Sequence, residues 1–157
     1  MKHIRIQAVG SPTESWQSEA ISMYLDRLKP FAKVDLVEVA EGHQGSAKPD
    51  ATKTRSREAE SLAKGYPKGS FVIALDETGT NLDSPTLARK LETWSESGQP
   101  LVFLIGGSWG LDPAIRSQAN AVISLGKQTL PHNLARIVLL EQLYRAETIS
   151  RGKEYHK

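Results

Sequence analysis

At 157 residues, 39% hydrophobic and 24% charged, the chain has the size and composition of one globular domain spanning 1–157. It has no cysteine, which excludes disulfides, thiolate nucleophiles and cysteine-ligated metals. The formal net charge is only +2. No apolar run approaches the roughly eighteen residues of a membrane span, and no charged-plus-apolar leader opens the sequence. The expected setting is therefore soluble and cytoplasmic, with no membrane contact.

Taken in chain order, apolar patterning and Gly/Pro punctuation divide the sequence into ten elements. His3 to Val9 reads as a strand ending at Gly10. Ser11-Pro12-Thr13-Glu14 fits a helix start, with Ser11 as cap and Glu14 reaching back to it. Trp16, Ala20, Met23, Tyr24 and Leu28 then form one apolar face, and Lys29-Pro30 ends the helix. Residues 33–39 are a strand apolar on both faces, to be covered on both sides. Residues 41–50 are a loop by composition, followed by a polar helix from about Asp50 to Ala63 with a narrow packed face. Ser70 to Leu75 is a buried strand, and the next helix runs from Ser84-Pro85 to Gly98. Leu101 to Ile105 is a fourth strand, Asp112-Pro113 opens a short helix, Ala121 to Leu125 is a fifth strand, and Leu134 to Ile149 is the last helix. Strict alternation of this kind implies an α/β domain with a mostly parallel sheet and helices on both faces. Ile137, Val138, Leu139, Leu140, Leu143, Tyr144 and Ile149 surround most of the last helix, which points to a second subunit covering part of it.

The loops after the strands carry the chemistry. IGGSWGL at 105–111 and LGKQTLPH at 125–132 each follow an apolar run and lead into a helix. Set side by side at the ends of adjacent parallel strands, they fit the crevice where open α/β sheets bind ligands. Gly106 and Gly107 let backbone approach a ligand closely, and a side chain at Gly106 is expected to intrude on the pocket. No Gly-Lys-Ser/Thr follows them, so this is not a phosphate loop, and the first strand is followed by Gly10 alone rather than a dinucleotide fingerprint. LDETGT at 75–80 reads as a third strand-end loop whose Asp76 and Glu77 are more simply solvated or capping than ligand-binding. His3, His43, His132 and His156 show no metal-ligand spacing, and no metal is expected.

Charge is asymmetric. Residues 1–100 hold 13 Lys/Arg against 14 Asp/Glu, whereas residues 101–157 hold 7 against 4. Arg145, Arg151, Lys153, Tyr155, His156 and Lys157 form a basic, aromatic-interleaved end of the kind that suits an RNA base and its phosphates.

Six blocks carry a resemblance: AVG at 8–10, YLDRL at 24–28, ALDETG at 74–79, IGGSWGL at 105–111, SLGKQTLPHNLARIVLLEQLYRA at 124–146 and GKEYHK at 152–157. Over nearly its whole length the chain resembles the SPOUT superfamily of RNA methyltransferases, and within it the pseudouridine N3-methyltransferase H family of the large ribosomal subunit. The resemblance implies a C-terminal deep trefoil knot, a homodimer formed through it, and S-adenosylmethionine as cofactor. It places that cofactor against Leu75, Gly106, Gly107, Leu125, Gly126, Lys127, Gln128, Thr129 and Leu130. It implies a pseudouridine of 23S rRNA in the assembled ribosome as substrate. Gly126 and Gln128 stand where the family commonly has serine and methionine, and Thr80 where it often has lysine.

A methyl group on a sulfonium is already activated, so the enzyme's main task is alignment. The N3 proton must also leave, and Tyr155, His156 or a water is placed to help remove it. Arg145, Tyr155 and His156 are therefore the expected catalytic group, with Arg145 and Lys157 toward phosphate. Two rivals remain at this level: a non-enzymatic ribosome-associated RNA-binding protein, and a flavodoxin-like nucleotide-binding enzyme.

Overall fold

The computed structural model describes residues 1–43 and 47–157. The strands are β1 (Lys2–Val9), β2 (Ala32–Val39), β3 (Phe71–Asn81), β4 (Leu101–Ile105) and β5 (Ala121–Ser124). Between and after them run α1 (Ser15–Leu28), α2 (Ala51–Leu62), α3 (Ser84–Ser95), α4 (Pro113–Gln118) and α5 (His132–Ser150). Number, type and order match the expected alternation. Part of the loop expected at 41–50, residues 44–46, lies outside the described residues.

The five strands form one sheet in the order β2-β1-β4-β3-β5, and every neighbouring pair is parallel. Alternate residues of β4 show how it is covered. Leu101, Phe103 and Ile105 pack with Ile21 and Leu28 of α1, Leu87 and Leu91 of α3, and Leu139 and Leu143 of α5. Val102 and Leu104 pack with Leu62 of α2 and Ile115 of α4. Helices thus cover both faces, as a parallel sheet requires. The packed stripe of α2 is as narrow as its composition implies, reduced to Thr54, Glu58 and Leu62. Among the described residues no helix is long and apolar enough to cross a membrane.

Four expectations need correction. First, β4 and β5 are not neighbours, because β3 lies between them. Their loops converge over the end of β3 rather than lying side by side. Second, residues 75–80 are not a simple strand-end loop. β3 continues through them to Asn81, with a register shift between Leu75 and Thr80 where it pairs with β5. The Asp76 carboxylate accepts the Thr78 backbone N–H at 2.9 Å and so curls the bulge locally. Gly79 then presses on β5, since a Cβ there would lie 2.7–2.8 Å from backbone atoms of Val122 and Ile123.

Third, α1 starts later than Ser11. Glu14 is the cap, and the Gln17 side chain accepts the backbone N–H groups of Thr13 and Glu14 at 2.9 and 3.1 Å. Its buried face is Ile21 and Leu28 with Tyr24 and Leu25, whereas Trp16 and Met23 are exposed. Fourth, Leu139, Leu140 and Leu143 are fully buried within the chain itself. α1 and α3 flank α5, and none of residues 132–149 is exposed. The apolar circumference of α5 is therefore largely satisfied in cis. Leu140→Ala should cost about 2–5 kcal/mol by loss of transfer energy plus a cavity. A denaturant midpoint within error of wild type would remove Leu140 from the core.

Candidate active site

A cleft of about 930 Å³ opens beyond the carboxyl ends of β3, β4 and β5. Three segments wall it: 75–78 from β3, 105–111 after β4, and 125–132 between β5 and α5. Of the nine residues assigned to a cofactor from sequence, Leu75, Gly106, Gly107, Leu125, Gly126, Gln128, Thr129 and Leu130 line this cleft. Lys127 does not; it is exposed on the outer side of its loop. Thr80 sits in the ladder opposite Ile123 and also stays out of the cleft.

Backbone packing fixes the glycine turn. A Cβ on Gly106 would lie 2.7 Å from the Gly110 carbonyl carbon and 3.0 Å from the Leu111 nitrogen. At Gly107 the corresponding space is filled by Val9 and by the Glu58 carboxylate, at 2.9 and 3.0 Å. A Gly107–Gly110 bridge closes the turn, and the Gly110 N–H donates to the Gly107 carbonyl at 3.0 Å. The opposite wall is held by side chains. The Ser124 hydroxyl donates to the Gly126 carbonyl at 2.7 Å, and the Thr129 hydroxyl donates to Glu77 at 2.9 Å. Gly126 has φ +137°, a conformation that side chains rarely adopt.

Sequence reasoning missed Arg55 and Arg116, which reach in from the distant α2 and α4, and gave no role to Trp109 within the glycine turn. Asp76 is not merely solvated, since its side chain is 10% exposed and pairs with Arg116 at 3.3 Å. Burial alone would raise its pKa. The hydrogen bonds from Thr78 and the Arg116 charge outweigh that and hold the carboxyl below its ordinary value.

His132 is the first residue of α5 and lines the cleft. The fully buried Arg136, one turn on, donates to the carbonyls of Val9 and Gly10 at 3.4 and 3.0 Å and pairs with Glu38 at 3.0 Å. It thus ties the start of α5 to the ends of β1 and β2. Burial lowers the His132 pKa below 6.5, Glu41 opposes the shift, and Arg136 adds to it. A depressed folded-state value means the unfolded chain binds the proton first. Stability is therefore lost as pH falls from 6.5 through the lowered folded-state value. His132→Gln should remove this part of the acid sensitivity. Denaturation midpoints of the two proteins should converge as pH falls below 6, and parallel curves would contradict the assignment.

The three residues expected to be catalytic gather elsewhere. Arg145, Tyr155 and His156 cluster at the far end of α5. The tail is not frayed but folded back. The Tyr155 hydroxyl donates to Glu141 at 3.1 Å, and its ring meets Tyr144 at 4.8 Å. Arg145 pairs with Glu141 at 2.7 Å, lies 4.8 Å over the Tyr155 ring, and donates to His156 Nδ1 at 3.4 Å. Burial and the bond to Glu141 raise the Tyr155 pKa, so its phenol stays protonated at neutral pH and is a donor, not a base. At about 1.5 Å per residue, the thirteen positions from His132 to Arg145 put roughly 20 Å between this cluster and the cleft wall.

A parallel α/β fold with its cleft at glycine-lined strand ends defines the class of α/β proteins that bind a ligand beyond the carboxyl ends of their strands. The comparisons narrow it. The family described as "Predicted SPOUT methyltransferase" matches residues 1–156. The ribosomal RNA large subunit methyltransferase H of Anaeromyxobacter sp. is 42% identical over 156 residues, covering 98% of this chain and 99% of that one. Proteins of the same name from Ralstonia pickettii and Bifidobacterium animalis are 39% and 40% identical, over 97% and 99% of both chains. The structure of a probable methylase family protein from Haemophilus influenzae shares the fold at TM-score 0.55 and 14% identity, over 98% of this chain and 70% of that one. The chain belongs to the SPOUT methyltransferase family, in the group of the ribosomal RNA large subunit methyltransferase H proteins, and is a methyltransferase.

Proposed function

We propose that this chain is a cytoplasmic homodimer that transfers a methyl group from S-adenosylmethionine to N3 of a pseudouridine in 23S rRNA of the assembled ribosome. We also propose that its C-terminal part is threaded as the deep trefoil knot of the family. The observation that carries the reading is the cleft, in a chain whose close relatives are named ribosomal RNA large subunit methyltransferases.

The cleft fits the cofactor in volume and in kind. Leu75, Ile105, Leu125 and Leu130 offer apolar walls to an adenine, and the backbone of 106–107 and 126–130 offers amides and carbonyls at close range. Asp76 and Glu77 offset Arg55 and Arg116 in the lining, so the cleft sets no net positive charge against a sulfonium. When bound there, the sulfonium supplies an activated methyl group. The protein's share is to align N3 with it, exclude water and receive the N3 proton.

Arg145, Tyr155 and His156 of the same chain stand too far from the cleft to act in it. A dimer resolves this if the tail of one subunit meets the cleft of the other. Arg145 and Lys157 then hold phosphate, Tyr155 donates a hydrogen bond or packs on the base, and His156 is the candidate proton acceptor. The exposed Trp16 and Met23 on α1 are apolar surface that such an assembly would cover. The test is transfer of labelled methyl from S-adenosylmethionine to ribosomes lacking the modification. Label in 23S rRNA, recovered as N3-methylpseudouridine, is the expected result. No incorporation, with cofactor bound normally, would favour the non-enzymatic RNA-binding reading.

A further inference from the structure

Two side chains that line the cleft at its mouth lie outside the buried core. Trp109, at the tip of the glycine turn, is 46% exposed and makes none of the aromatic pairs found among the described residues. The ring is not on a loose loop. The Gly107–Gly110 bridge and the φ of +77° at Gly110 set the turn that carries it. Arg55 of α2 donates to the Trp109 carbonyl at 3.4 Å and makes no ion pair among the described residues.

The surroundings are basic. Lys48, Lys53 and Arg57 are exposed on the same segment. The one acid on its surface from 48 to 57, Asp50, is occupied as the cap of α2, accepting the Lys53 N–H at 2.8 Å. An open aromatic face beside a guanidinium with no acid partner among the described residues has the chemistry of a single-stranded nucleic acid platform, where a base stacks and its phosphate is neutralised alongside.

We propose that Trp109 stacks on an unpaired base of the substrate RNA at the mouth of the cleft, and that Arg55 takes an adjoining phosphate. The proposal rests on the rRNA reading of the cleft and adds an RNA contact to those proposed for the C-terminal tail. Trp109 is a positioning residue for RNA; its ring has no part in holding the cofactor.

The experiment measures KM for ribosomes lacking the modification, and separately the Kd for S-adenosylmethionine. Trp109→Ala should raise the ribosome KM roughly ten- to hundredfold, the loss of one stacked base, with cofactor Kd unchanged. Trp109→Phe keeps a ring and should stay within about threefold of wild type. Arg55→Ala should lower the salt dependence of the ribosome KM by about one counterion, and Arg55→Lys should restore it. An unchanged ribosome KM in Trp109→Ala would overturn the proposal. So would a parallel loss of cofactor affinity, which would make the ring a lid on the cofactor. Conversion of a wild-type dimer to monomers by Trp109→Ala would overturn it too, making the ring a contact between copies. The wild type is assayed first: if it transfers no methyl to ribosomes, the underlying function fails and this proposal with it.

Discussion

Gly106→Ala is expected to weaken S-adenosylmethionine binding by about a hundredfold while leaving the chain folded. The added Cβ does not protrude into the cleft, as glycine content alone implied. It meets the Gly110 carbonyl group at 2.7–2.8 Å and the Leu111 nitrogen at 3.0 Å, all backbone atoms that cannot swing aside. The turn must open, the Gly107–Gly110 bridge is lost, and one wall of the cleft moves. Losing two well-placed backbone hydrogen bonds to a ligand, at ~1.5 kcal/mol each, corresponds to roughly a hundredfold in affinity. The overpacking itself should cost about 1–3 kcal/mol of stability. Calorimetry showing wild-type affinity would mean that the cofactor does not sit against this turn.

Deleting Tyr155, His156 and Lys157 should reduce methyl transfer by at least ~100-fold, the usual worth of a positioned proton acceptor together with substrate contacts. Cofactor affinity should be retained, because the tail lies roughly 20 Å along α5 from the cleft. The fold should also survive: Tyr155 meets Tyr144, Arg145 and Glu141 on α5, and His156 and Lys157 are exposed. His156→Ala separates two roles. If the imidazole takes the N3 proton, the rate recovers partly at high pH, where the imide ionises unaided. If it only stacks on the base, the loss is the same at every pH. Full activity in the deletion would place the RNA elsewhere on the protein.

Much of the fold is legible in the residues, because each strand and helix announces itself locally. Apolar runs such as 101–105, helix openings such as Asp112-Pro113 and Asp50, and the glycine stops all concern neighbours within a few positions. What is not legible is set by long-range pairing. Nothing in residues 75–81 distinguishes a polar loop from a bulged strand; only β5 alongside, pressing on Gly79, makes it one. The order β4-β3-β5 is likewise invisible, although the three loops still meet. In α1 two apolar stripes compete, and the one through Trp16 and Met23 scores as well by spacing as the one through Ile21 and Leu28 that is buried.

The site divides in the same way. The backbone-lined half, Leu75, Gly106, Gly107 and 125–130, is readable because glycine and short loops mark close approach, and only Lys127 falls outside. Arg55 and Arg116 join it from α2 and α4, which no local pattern connects to the strand-end loops, and Asp76 and Trp109 join it from within the 75–80 and 105–111 blocks. The basic, aromatic-interleaved pattern supplied the tail residues, but not their distance from the cleft. That distance turns the dimer from a way of covering α5, which α1 and α3 largely do already, into a way of completing the site.

Mixing two inactive variants tests this directly. Assayed with S-adenosylmethionine well below its weakened Kd, Gly106→Ala keeps the tail but leaves its own cleft nearly empty, and the deletion of 155–157 keeps the cofactor but lacks the tail. Co-refolded in equal amounts, half the dimers are mixed, and each mixed dimer has one intact cleft facing one intact tail. Labelled methyl transfer to 23S rRNA should return to about a quarter of the wild-type rate, as a two-fold dimer with shared sites requires. Activity no higher than that of the separate variants, with mixed dimers shown to be present, would contradict a site shared between two chains.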